Sequence, residues 1–225
     1  MPQIIYINFS NSDEMSGTMK WIIGSILQVI VAQTEVKEFV GEWHTLAKES
    51  VVHDIPVVYK QWTLSFLIEP LGKVGEWSSI FRVGSTGGAS ASDGNYGDRN
   101  PSIFFSPSST TLYSTGSVNN NWNYVGTKTE GELPLNEKTQ VDVSQLKVGD
   151  DYIYSMSING EVIHQATNNQ AQEFTNGKLA ISDNKYVPAN AKISDLTYRT
   201  FPDGHVFVES ASKFAKQNST RFISN

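Results

Sequence analysis

A chain of 225 residues is long enough for one large buried core plus tails, and this one carries a formal net charge of −6. It contains no block of basic residues, so it lacks the electrostatic footprint that nucleic acid or an anionic membrane surface calls for. It also has no cysteine, which excludes disulfides, thiolate zinc sites and thiol nucleophiles.

In chain order, the first feature is a charged start, Met19-Lys20, followed by the apolar run Trp21 to Ala32, which ends on a small residue. This pattern predicts a secretory signal peptide beginning at Met19. It therefore predicts a secreted, extracellular protein with no membrane insertion after cleavage. The run is short for a bilayer span. Residues 1–18 include Asp13 and Glu14, which a signal peptide disfavours, so residues 1–32 read as an upstream extension plus the signal peptide. The alternative is a buried helix or strand of a cytosolic protein. Sequons occur at Asn8 and Asn218, and only the second survives such a cleavage.

From Trp43 to about Phe201 the pattern is strands and turns. Val57 to Ile68 has the alternation and the β-branched and aromatic content of one strand, ended by Pro70 and Gly72. Ser79 to Val83 is a second. Gly84 to Asn100 is a long loop rich in Gly, Ser and Asp, closed by Pro101. Ser102 to Phe105 and Thr110 to Tyr113 are short strands, and Trp122 to Thr129 is another. Thr139 to Leu146 alternates strictly. Tyr152 to Ile158 and Glu161 to Ala166 flank Asn159-Gly160, whose turn needs positive φ at both positions, so they form a hairpin. Lys178 to Ser182 and Lys192 to Tyr198 complete roughly ten strands.

Short strands at this spacing define an all-β fold, an antiparallel two-sheet sandwich or jelly roll. One domain spans residues 43–201, with a C-terminal tail at 202–225. In that tail Val208, Ala211, Phe214 and Ala215 share one face of a short helix, or the tail is a frayed end.

Several segments, in this order, carry a family resemblance: Trp62 to Phe66, Trp77 to Phe81, Gly97-Asp98-Arg99-Asn100-Pro101 running into Phe105, Ile158 to Val162, Ser182-Asp183, and Pro188 to Ile193. Over Gln61 to Tyr198 the chain resembles the concanavalin A-like lectin/glucanase superfamily. It looks most like poorly characterised extracellular domains of invertebrate proteins akin to laminin G and pentraxin modules. The resemblance implies a curved two-sheet jelly roll and no single ligand, because the fold hosts lectins, glycosidases and adhesion modules alike. Relatives often carry cysteines around the long loop, where this chain has Ala89 to Tyr96 without any.

The glucanase branch needs closely spaced carboxylates on one strand face. The nearest run here is Glu130-Gly131-Glu132 beside Pro134, which reads as a loop, and Asp150-Asp151 reads as turn chemistry. No nucleophile elbow, phosphate loop or dinucleotide fingerprint occurs. His44, His53, His164 and His205 lack metal spacing. The expectation is therefore a protein that is not an enzyme.

In the long loop, Asp93, Asn95 and Asp98 offer hard oxygen ligands, the chemistry of a calcium site. The resemblance implies calcium at the rim of the sandwich, and the competing reading is turn formation by Asp, Asn and Gly. Arg99 is expected to tie this loop to the sheet through a carboxylate.

The most lectin-like stretch is Asn119, Asn120, Asn121, Trp122, Asn123 and Tyr124. Amides meet sugar hydroxyls as donor and acceptor, while indole and phenol rings cover the C–H face of a pyranose. Trp77, Tyr96 and Tyr186 join this surface if their loops converge. Otherwise Trp122 and Tyr124 are core residues beside an Asn-rich turn. The expected function is a secreted lectin-like module for glycan or a glycosylated partner. A self-associating, homo-oligomeric adhesive matrix protein is the alternative, and a divergent glycosidase the weaker one.

Overall fold

The computed structural model of the chain describes residues 37–85, 94–126 and 131–204. The expected signal peptide, the sequons at Asn8 and Asn218, Asp93, Glu130, His205 and the four positions of the tail helix lie outside the described residues. Among the described residues there are fourteen strands and no helix.

The first sheet runs edge to edge as β1 (Lys37–Val40), β14 (Ala191–Phe201), β4 (Gln61–Pro70), β9 (Thr139–Val148), β10 (Asp151–Ile158) and β11 (Glu161–Thr167), with β2 (His44–Thr45) also beside β14. The second runs β3 (Val51–Val58), β12 (Phe174–Ile181), β5 (Ser78–Gly84), β6 (Ser102–Phe105), β7 (Leu112–Val118) and β8 (Asn121–Gly126), with β13 (Val187–Pro188) also beside β5. Every pairing is antiparallel except the short parallel contact of β13 with Ser78 and Ser79.

Period-two burial builds the core. In β4, Trp62, Leu64, Phe66 and Ile68 are buried while Thr63, Ser65 and Leu67 stay half-exposed. Register with β9 sets Leu64 beside Val143 and Phe66 beside Val141, so apolar cross-strand pairs share one face. Ile103 and Phe105 of β6 and Leu179 and Ile181 of β12 belong to the same buried cluster, which fills the space between the two stacked sheets. Each such side chain contributes roughly 1.5–3 kcal/mol when fully buried.

Tyr154 links the layers. Its ring reaches from β10 to the glycines of the facing sheet, where a Cβ on Gly126 would lie 2.5 Å from Cε1 and one on Gly116 3.0 Å from Cε2. The Tyr154 hydroxyl hydrogen-bonds with that of Ser114, and Trp62 and Tyr124 pack edge-on against its ring. Burial pushes the Tyr154 phenol far above its usual range.

Three expectations shift. The single strand expected over Val57 to Ile68 is two, because β3 ends at Val58 in one sheet and β4 begins at Gln61 in the other. Tyr59-Lys60 contains no glycine, proline or other turn residue, so local sequence does not register the change of sheet. The sandwich also begins before residue 43, since Lys37 pairs with Tyr198. Finally, β7 starts at Leu112, not Thr110; Thr110 is buried in the preceding loop, donating its hydroxyl to the Leu133 carbonyl at 2.6 Å. The Asn159-Gly160 hairpin forms as expected, with φ of 51° and 81°.

Candidate functional site

All seven residues of β5 are buried, although only one side of that strand faces the core. Its outer side is covered by two chain segments, 94–101 and 182–190. The Nε of Arg82 donates to the Asp98 carbonyl at 3.1 Å, and its guanidinium lies 3.7 Å from the Asp183 carboxylate, with both side chains fully buried. Asp183 in turn accepts the backbone N–H groups of Lys185 and Tyr186 at 3.1 and 3.0 Å, which fixes the turn that presents Tyr186.

The other covering segment needs Gly97. Its φ is 106°, and a Cβ there would meet Ser85 Oγ at 2.5 Å and the Phe174 ring at 2.7 Å. The Gly97 N–H donates to Ser117 Oγ at 2.8 Å, and the Ser117 N–H donates to the Arg99 carbonyl at 2.9 Å. The backbone carrying Arg99 is thereby fastened to β7.

Arg99 is the centre of the site. It is only 5% exposed, yet it lines an open cleft of about 330 Å³ on the outer side of the second sheet. Its Nη1 donates to Asn123 Oδ1 and, at 3.3 Å, to Thr115 Oγ1, and its Nη2 donates to the Tyr186 hydroxyl at 3.1 Å. The guanidinium carbon lies 5.1 Å from the Phe104 ring centre and 5.0 Å from that of Trp122, within cation–π range. Trp77 and Tyr113 meet edge to face at 4.9 Å on the same lining, and Trp77 is 40% exposed.

A bulge makes this arrangement possible. Gly116 pairs with Tyr124 and Val118 with Asn121, so Ser117 faces both Trp122 and Asn123. In a regular strand those two side chains point to opposite faces. The extra residue lets both line the cleft, and returns Tyr124 to the inner side.

The structure thus brings together Trp77, Trp122 and Asn123 from the expected surface, with Tyr186 converging as well. Tyr124 is turned inward, where it packs against the core and its hydroxyl hydrogen-bonds with His164 Nε2 at 3.1 Å. Asn119 and Asn120 form the two-residue turn of the β7–β8 hairpin, with φ of 52° and 63°. The Asn119 amide donates to the Thr167 carbonyl at 2.8 Å, and its Oδ1 accepts the Asn169 N–H at 2.7 Å. Asn121 is exposed and accepts the Asn123 N–H at 2.9 Å. Tyr96 stands apart from the cleft, donating to the Gln170 carbonyl at 2.9 Å beside Phe174.

Sequence reasoning missed Phe104, Tyr113, Thr115 and Val125 as lining residues. A signal was present at Phe104, because Ile103-Phe104-Phe105 is apolar at successive positions and an outward phenylalanine needs a covered outer face.

At the expected calcium ligands, Asn95 is exposed while Asp98 is 1% exposed. The Asn95 N–H donates to Asp98 Oδ2 at 2.7 Å, so the carboxylate serves its own turn. Among the described residues no three His, Asp or Glu side chains are grouped to hold a metal ion. Glu132 is exposed and paired with Lys73 at 2.7 Å, which lowers its pKa, the opposite of what a general acid needs. Among the described residues lining the cleft there is no carboxylate, histidine or serine. The lining offers flat rings, an amide, hydroxyls and a guanidinium.

Fold and cleft together define an all-β, two-sheet antiparallel sandwich with a recess on the outer side of one sheet. No family model matches the sequence. No curated protein matches it. Among solved structures, the chain is similar to the native heptameric SAP-like pentraxin from Limulus polyphemus, with a TM-score of 0.45 and 16% identity over 72% of this chain and 74% of that one. It is also similar to the Trypanosoma rangeli sialidase in complex with sialic acid, with a TM-score of 0.46, 12% identity, and coverage of 74% and 24%. A third is the botulinum neurotoxin type G receptor binding domain, with a TM-score of 0.44, 9% identity, and coverage of 79% and 46%. The chain spans about a quarter of the sialidase and less than half of the toxin domain. These likenesses concern the fold alone.

Proposed function

We propose that the chain is a secreted, non-catalytic recognition module that binds glycan, free or on a glycosylated partner, in the cleft around Arg99. The observation that carries this reading is the joint presentation of Trp122 and Asn123 by the bulge in β8. A pyranose stacks its C–H face on an indole while its hydroxyls meet an amide and phenol groups at the edge. A cleft of about 330 Å³ has the size of a small-ligand site. The test is a glycan screen followed by titration of the wild type and Trp122→Ala. The expected result is binding that falls at least about tenfold in the variant, with an unchanged melting temperature. Absence of glycan binding by the folded wild type, or full retention by the variant, overturns the reading.

Self-association has its own support. Val52 on β3 and Val162 on β11 are 45% and 49% exposed, and both strands are sheet edges. Concentration-dependent assembly in light scattering, without glycan binding, favours that reading.

A further inference from the structure

We infer that the cleft takes at least two linked sugar units of one oligosaccharide, laid along β7 and β8 with one ring on Trp122 and another on Trp77. The inference rests on the glycan reading and narrows it from a single sugar to a chain. Strand register supplies the length. Trp122 stands across from Ser117 of β7, while the Trp77 ring meets Tyr113 of the same strand, with ring centres 4.9 Å apart. The extra residue at the bulge belongs to β8, so β7 stays extended, and four residues from Tyr113 to Ser117 cover roughly 13 Å. That is further than one pyranose ring spans. Between the two ends lie Thr115 of β7 and Val125 of β8, a cross-strand pair that also lines the cleft. Both side chains are short beside the indoles, which leaves room for a linkage between two stacked rings.

Each platform is held before a ligand arrives. The Arg99 guanidinium carbon lies 5.0 Å from the Trp122 ring centre, and its N–H groups are engaged by Thr115, Asn123 and Tyr186, so this residue acts as a prop for the indole. Trp77 directly precedes β5, and its loop is tied down where the Ser108 N–H donates to the Val74 carbonyl at 2.6 Å. Its ring is set at 85° to that of Tyr113 and remains 40% exposed. Indoles fixed in this way offer stacking area at little cost in side-chain entropy. A single sugar covers one of them. A chain covers both, and its second ring binds without a second loss of translational freedom.

Isothermal titration of the wild-type chain tests this with oligomers of glucose, mannose, N-acetylglucosamine and galacturonate, each from one to four units, together with the same lengths of any further sugar class that the glycan screen returns. The expected result, in the series that binds, is affinity at least about tenfold higher for the longer members than for the single sugar. Trp77→Ala is expected to cut that gain to less than about threefold, and Trp77→Tyr to keep part of it. Affinity independent of length, or a gain that Trp77→Ala leaves whole, overturns the inference and leaves the glycan reading standing. Failure of every series on folded protein overturns both. Because the length comparison is made on the wild type, it does not depend on either variant folding.

Discussion

The outer faces of the two sheets come from the same alternation and end in opposite states. On the first sheet several outward side chains of β4, β9 and β10 are polar and hydrogen-bond to one another. Ser65 donates to Asp142 at 2.7 Å, the Gln140 amide donates to Ser65 at 2.9 Å, and Ser144 and Ser155 share a hydrogen bond at 2.9 Å. On the second sheet the outward positions carry Arg82, Phe104, Tyr113 and Thr115, and two loops fold over them. The first face carries this polar ladder, while the second gathers rings and a guanidinium along a cleft. A sheet becomes a site through what occupies its wet positions, and its strand order does not decide this.

The comparison breaks most sharply at its two aspartates. Asp183→Asn removes the carboxylate beside fully buried Arg82, and urea unfolding is expected to show a loss of roughly 3–5 kcal/mol. Next comes the slot that joins the sheets: Gly126→Ala drives a methyl group into the Tyr154 ring and is expected to cost about 1–3 kcal/mol, read as a lower melting temperature. Asp142→Asn, on the self-satisfied face, is expected to change stability by less than about 1 kcal/mol and to leave ligand titrations unaltered. An effect as large as that of Asp183→Asn would show that the two faces do not differ as described.

The smallest effect is a pH dependence. Burial holds the His164 pKa below its ordinary value of about 6.5, so the folded state favours the neutral ring. Its contribution to stability is present above that ordinary value and is lost as pH falls through the folded value. Melting scans between about pH 7 and pH 5 are expected to show a modest decline that His164→Gln flattens.

Much of the fold was legible because burial here has period two. Ser102 to Phe105 and Thr139 to Leu146 stand as strands where alternation or apolar content placed them, and the Asn159-Gly160 turn follows from its two positive φ positions. The passage at Tyr59-Lys60 was hidden, because side-chain pattern says which face is dry and not which sheet owns it. The site was legible in its residue types, since Trp77, Trp122 and Asn123 were expected at a binding surface. It was hidden in its geometry. Nothing local in Asn121-Trp122-Asn123-Tyr124 announces a bulge, and without it strict alternation puts Trp122 and Asn123 on opposite faces. Tyr124 was expected at the surface from its residue type, beside asparagines and Trp122, and the register turns it inward. Arg99 was expected to tie the loop to the sheet through a carboxylate, and its proximity to Trp122 was hidden because it depends on pairing across two further strands.

The irregularity in β8 has a second effect, at the border of the sheet. A strand with an extra residue twists and cannot offer an even row of amide and carbonyl groups to another chain. The same insertion that opens the recess thus blunts this margin as a template for cross-chain pairing. Straightening it by deleting one residue would close the recess and expose a smooth ladder at once. Of the other margins, β11 carries a like shift where Met156 pairs with His164 and Ser157 with Val162, whereas β3 pairs with β12 without one.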